Sequence, residues 1–173
     1  FFPWYFFPLL IPDITHPIVN NLDAIMTQFV STVDTVGGKG ISKTILLSSS
    51  KYSKVANAPV RISINILREP PDERQYTASN QPVAVLLEGE FESVFKNRVP
   101  PEIAKNQEIG FTEKSSFTKM IVVGDGDIIR NEVSKDGSRI LPLGFDKYSK
   151  HEYANRNFIM NCMHYLGDES GLI

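Results

Sequence analysis

A mixed α/β sandwich, with a mostly parallel sheet, one antiparallel element and few helices, is the fold class this sequence predicts. Three features predict it. Short apolar runs, "KTILLSS", "VAVLL" and "MIVV", recur between polar connections at strand length, as expected of strands covered on both faces inside a parallel sheet. One further run, "VRISINIL", alternates apolar with polar residues and reads as a strand with one wet face, at an edge or in an antiparallel pair. Two stretches carry a helical period, one after residue 20 and one after residue 155. At 173 residues the chain is long enough for a single domain, residues 1–173, with its own core.

The opening "FFPWYFFPLLIP" holds six aromatics in ten residues. Pro3 and Pro8 oppose a helix there, so a short buried or edge strand is expected. A start this aromatic also suggests an excerpt from a longer protein. Next, Leu22, Ile25, Met26, Phe29 and Val33 follow the spacing of one helix face. Asn20 would cap that helix, Asp23 would sit in its first turn, and Gly37 with Gly38 would stop it. The runs around 44–50, 60–67 and 83–95 then read as strands. "REPPDERQYTASNQP" and "KNRVPPEIAKNQEIGFTEKSS" are polar connections without a period. After the strand ending in Val123 and another turn-rich stretch, "NRNFIMNCMHYLG" reads as the last helix, capped by Asn155 and stopped by Gly167. Two strong helices are few for four or five strands, which again points to a fold only partly contained in this stretch.

Composition narrows the function. With 42% hydrophobic and 22% charged residues and a net charge of -2, the chain has no basic excess to neutralise phosphates, so nucleic acid is not an expected partner. The lone cysteine, Cys162, excludes an internal disulfide. No apolar run reaches the ~20 residues that cross a bilayer.

The candidate chemistry sits at two strand ends. "MIVVGDGDIIRN" places Asp125 and Asp127 after a buried strand, the position of a nucleophile and its acid-base partner in haloacid-dehalogenase phosphatases, but the usual threonine of that pattern falls at Ile129. An EF-hand loop counted from Asp125 would need an oxygen ligand at Ile129 and glycine at Arg130. The plainer reading is a turn: Gly124 and Gly126 permit positive φ, and the two carboxylates bond their own backbone. A ligand site at the carboxyl end of the strand stays open beside it. Ser48, Ser49 and Ser50 end another strand without the G-x-S-x-G elbow of a serine nucleophile. Cys162 lies among apolar neighbours in a helix, as an inert core thiol does. Glu88 and Glu90 without a clustered His or Cys read as a solvated face. No phosphate-cradling motif is present, and no cofactor or metal is expected.

Five stretches, "PWYFFPLLIPDITHPIVNNLDAI", "KTILLSSSKYSKV", "PVAVLLEGEFESVFKNRVPP", "MIVVGDGDIIRNEV" and "NFIMNCMHYLGDESGLI", together resemble, in this order, the GldG proteins of Bacteroidetes. These are gliding-motility-associated auxiliary or substrate-binding components of an ABC transporter. The resemblance implies a flavodoxin-like or glutamine-amidotransferase-like fold with the amidotransferase machinery lost, and a periplasmic module anchored in the inner membrane through segments outside this stretch. It also implies a permease and an ATPase as partners, and no catalytic residues. Under it, Asp125, Asp127, Ser48, Ser49 and Ser50 are the candidate contacts to an unknown small ligand. An envelope scaffold, and an aspartate-dependent phosphoryl-transfer or metal-dependent hydrolase, are the alternatives.

Overall fold

The computed structural model describes residues 4–68 and 70–168. Its elements are β1 (Leu9–Leu10), β2 (Ile25–Met26), β3 (Ile41–Ser48), β4 (Pro82–Gly89), α1 (Pro101–Ala104), β5 (Thr118–Val123) and α2 (Asn155–Gly167), with short 3₁₀ turns at Ile64–Arg68, Glu73–Gln75 and Gly126–Ile129. The chain is thus mixed α/β, as its sequence predicts. Its sheets are not the predicted mostly parallel kind. Among the described residues every ladder is antiparallel: β1 pairs with β2, and β4 stands between β3 and β5.

The correction has a physical cause. Val83, Ala84, Val85 and Leu86 are all buried, as the apolar run requires, but burial on both faces says nothing about the direction of the neighbours. Direction is set here by the connections, which return each strand from the end where the previous one finished. Between Ile45 and Leu47 the register of β3 against β4 shifts by one residue, and this bulge lets Leu46 and Leu47 both enter the core.

The main core cluster joins the three-stranded sheet to the small sheet and α2. Leu46, Leu47, Ala84 and Leu86 meet Leu10 and Ile25 from the small sheet, Ile18 and Val19 from the turn between its strands, and Phe158 and Cys162 from α2. Of the opening stretch only Leu9 and Leu10 form the expected short strand, against Ile25 and Met26, while the aromatic Tyr5, Phe6 and Phe7 before them lie in a turn and bend. Residues 1–3 lie outside the described residues.

Two predicted elements are absent. Residues 20–36 do not form a helix: Asn21 and Phe29 have φ of 58° and 51°, and Ile25–Met26 is drawn into β2 instead. The polar residues there serve backbone other than a helix's own. The Asp23 carboxylate accepts from Ala24 N–H at 2.7 Å, and the buried Thr27 hydroxyl donates to the Pro8 carbonyl at 2.6 Å. Tertiary pairing has outweighed a helical period. Residues 60–67 likewise form no strand; Ile64–Arg68 makes a 3₁₀ turn with no buried residue.

The predicted last helix is present, but Asn155 is not its cap. It is the first helical residue, 2% exposed, and its side chain turns inward. Its Oδ1 accepts from Met26 N–H at 2.9 Å, while Nδ2 donates to Met26 C=O at 2.8 Å and to Ile128 C=O at 3.2 Å. The amide therefore pairs with Met26 as a neighbouring strand would, and ties α2 to β2 and to the 126–129 turn. Gly144 leaves room for it, since a Cβ there would stand 3.1 Å from Asn155 Cβ and 2.6 Å from the Tyr153 carbonyl.

Replacing Asn155 by alanine leaves one buried and two part-buried backbone groups without this partner, so urea unfolding should show a loss of about 2–4 kcal/mol. Asn161→Ala, which removes a single bond to the Ile18 carbonyl, should cost about 1 kcal/mol. Equal losses in the two variants would refute the bridging role.

Candidate functional site

Because β3 and β5 both run antiparallel to β4, their carboxyl ends lie at the same end of the sheet. The two predicted sites, Ser48–Ser50 and Asp125–Asp127, therefore share that end, separated by β4 and hence by about 10 Å across two strand spacings. They do not converge on one point.

The aspartates are built into a turn. Asp125 is 6% exposed and caps the 3₁₀ turn Gly126–Ile129: one carboxylate oxygen accepts from Asp127 N–H at 2.7 Å, the other from Gln28 N–H at 2.8 Å. Asp127 pairs with Arg130 at 2.8 Å, Arg130 donates to the Gln28 side-chain carbonyl at 3.1 Å, and the Gln28 amide donates to Glu132, which pairs with Lys147 at 2.9 Å. This chain of contacts joins residues 28, 125–132 and 147. It leaves the Asp125 carboxylate facing two backbone amides.

The glycines serve the same turn, for a reason the sequence does not display. Neither Gly124 nor Gly126 has positive φ. Gly124 is small because the chain passes over it: its carbonyl accepts from Ser31 N–H at 2.9 Å, its N–H donates to Val83 at 2.8 Å, and a Cβ would fall 2.1 Å from the Ser31 carbonyl. Gly126 faces open space.

The serines border a groove of about 280 Å³ with Leu9, Ile11, Asp13, Lys51 and Asn80. Ser49 is committed to structure, its N–H donating to the Gln81 carbonyl at 2.8 Å and its Oγ accepting from Gln81 N–H at 3.0 Å. Ser50 Oγ accepts from Tyr52 N–H at 3.1 Å and shapes the turn beyond the strand. Groove-facing chemistry is thus a mixture of hydroxyls, one ammonium and one carboxylate. Among the described residues no group of three or more His, Cys, Asp or Glu side chains could hold a metal ion, and no helix is long and apolar enough to cross a membrane.

The sequence reading missed a cluster at the other end of the sheet. Glu88 and Lys119 are cross-strand neighbours on β4 and β5. Tyr165 of α2 donates its hydroxyl to Glu88 at 3.0 Å, and the Lys119 ammonium sits 4.3 Å from the Tyr165 ring centre. Lys119 also donates to the carbonyls of Tyr165 and Asp168, both at 3.3 Å, which satisfies the end of the helix. The His16 ring packs 5.1 Å from that of Tyr165. Burial lowers the His16 pKa, with Glu88 pulling the other way; burial, then the bond from its hydroxyl to Glu88 and the charge of that carboxylate, raises Tyr165. Glu88 read as a solvated residue because its partners lie 31 and 77 positions away. Glu90, its predicted companion, pairs instead with Lys114.

Cys162 is a buried core thiol, and burial pushes its pKa up to about 11. The arrangement as a whole is that of a mixed α/β domain whose polar side chains largely brace backbone. Comparison by sequence then supplies the family: the model described as an ABC-type uncharacterized transport system matches residues 1–162, and the chain belongs to that family, as an auxiliary component of an ABC-type transport system. No curated protein and no solved structure matches it.

Exchange of Gly124 for alanine should destabilise the fold by about 2 kcal/mol or more through overpacking. Gly126→Ala should stay within about 0.5 kcal/mol. Thermal melts of the pair test whether close approach is the reason for the first glycine; equal effects would oppose it. Cys162 should react with a thiol reagent at pH 8 at least ~10-fold more slowly in the native chain than in urea, and a fast native reaction would contradict its buried, protonated state.

Proposed function

We propose that this chain is a non-catalytic, extracytoplasmic accessory module of a GldG-type ABC transporter, working with a permease and an ATPase. The observation that carries the reading is its membership of the transport-system family over residues 1–162. The geometry of the most enzyme-like motif supports it. Both Asp125 oxygens accept backbone amides and Asp127 is paired with Arg130, so neither carboxylate is posed as a nucleophile or a metal ligand. Ser49 is likewise occupied with Gln81, and among the described residues no imidazole or ammonium is hydrogen-bonded to its hydroxyl.

The GldG resemblance further suggests a periplasmic position, attachment to the inner membrane through segments outside this stretch, and a part in gliding motility. A second reading, a small-ligand role, has its own support in the groove beside Ser48–Ser50, where Lys51, Asn80 and Asp13 offer charge and hydrogen bonds of both kinds.

The test is to purify the tagged protein from its native membranes in mild detergent and identify what accompanies it by mass spectrometry. An ABC permease and its ATPase should be recovered together. Recovery of other envelope proteins without either one would replace the transporter role with that of a scaffold.

A further inference from the structure

The turn between β1 and β2 depends on a histidine for its bonds. The His16 carbonyl accepts from Val19 N–H at 2.9 Å and from Asn20 N–H at 2.8 Å, and its ring Nδ1 accepts from Ile18 N–H at 3.3 Å. The residue thus caps the turn as an asparagine caps a helix, with Pro17 in the first position, where an N–H would have no partner. Among the described residues Nδ1 is the sole acceptor for the Ile18 amide. That turn also carries part of the core, since Ile18 is 0% and Val19 1% exposed. From the other side α2 holds it: Asn161 donates to the Ile18 carbonyl at 3.0 Å, and the Tyr165 ring lies 5.1 Å from the imidazole.

An imidazole nitrogen accepts a hydrogen bond only while it is neutral, because the imidazolium carries a proton on both nitrogens. Protonated, Nδ1–H would meet the Ile18 N–H donor against donor. The charges around the ring are few. Glu88 on β4 favours the cation, but its carboxylate already accepts from the Tyr165 hydroxyl at 3.0 Å and stands across from Lys119 on β5. The Lys119 ammonium, 4.3 Å from the Tyr165 ring centre, opposes a second cation on that ring. Asp13, on the same segment, is exposed, and His164 of α2 lies on the outer side of the helix with Met160 and Met163. Burial lowers the His16 pKa and Glu88 raises it, with a net lowering. The folded chain therefore binds fewer protons at His16 than the unfolded chain does. Stability from this residue is full above the ordinary imidazole range and is lost as pH falls through it.

We propose that His16 is an acid-sensitive latch: its neutral ring holds the turn 17–21 against α2, and its protonation frees the Ile18 amide and lets Ile18 and Val19 lift from the core. The opening is local. β1 and β2 flank the turn and share only two residue pairs, so the small sheet loosens with it, while the ladders of β3, β4 and β5 keep their own bonds. The latch is independent of the transporter reading and can fail without it.

Nuclear magnetic resonance of the purified chain, titrated from about pH 8 to about 5, tests it. The His16 ring should titrate below the ordinary imidazole value, and the Ile18 amide shift should follow the same curve. Hydrogen exchange at Ile18, corrected for its intrinsic pH dependence, should lose about 5-fold in protection on the acid side, the equivalent of one hydrogen bond. Amides of β4 should keep theirs. In His16→Asn, where the side-chain oxygen accepts without titrating, the fall in melting temperature across this range should shrink. Glu88→Gln keeps an acceptor for Tyr165 and removes the charge, so it should move the His16 titration to still lower pH. An Ile18 amide that does not follow His16, or an acid loss of stability equal in the wild type and His16→Asn, would overturn the proposal. If His16→Asn fails to fold, the titration of the wild-type chain decides alone.

Discussion

The three hydrogen bonds of Asn155 hold together parts of the chain that share no strand ladder. β2 is only two residues long, and β1 gives it a partner on one side alone. A pair this short has little stability in water. The Asn155 amide supplies the missing partner on its other side and, with the same nitrogen, fixes the turn that follows β5. The position of α2 over the sheet thereby determines where the aromatic opening, the turn at Ile18 and the Asp125 loop come to rest.

The far end of α2 is held by different means. There Lys119 reaches the helix carbonyls and the Tyr165 ring, and Tyr165 reaches Glu88. Between these polar ends, Phe158 and Cys162 supply apolar contact. The helix is thus fixed along its length, and polar side chains that resemble site residues in the sequence act as substitutes for absent backbone partners. That economy accounts for the modest chemical character of the surface: the Asp125 and Asn155 groups, each of which could bind a ligand if free, are occupied by backbone.

The three long strands and the last helix were legible because each strand carries a short apolar run, buried on both faces in β4 alone, and because α2 keeps one period through its length. Strand direction was not, since apolar runs carry no mark of their neighbours. The segment after Asn20 misled for a different reason. Leu22, Ile25 and Met26 do have helical spacing, but the same residues also fit a bent strand, and the choice depended on Leu9, Leu10 and Asn155, distant in sequence. The turn at Gly-Asp-Gly-Asp was read in its type and missed in its cause, because Gly124 answers to Ser31, 93 positions earlier. The Tyr165, Glu88, Lys119 and His16 cluster was invisible on the same ground: each member looked ordinary alone.

The connections between the long strands close at their bases. Beyond β3 the chain is bridged at Ser49 with Gln81 and again at Ser53 with Ala78; beyond β4 it is bridged at Phe91 with Ser115 and at Ser93 with Glu113. Register in the sheet is therefore settled before either excursion departs, and what happens farther out reaches the sheet only through loop-closure entropy, about 0.6 kcal/mol for each doubling of length. The two excursions leave from opposite ends of the sheet. Substitution, lengthening or exchange of either can proceed on its own, giving this lineage two separate surfaces to remodel over a frame whose internal pairing they do not disturb.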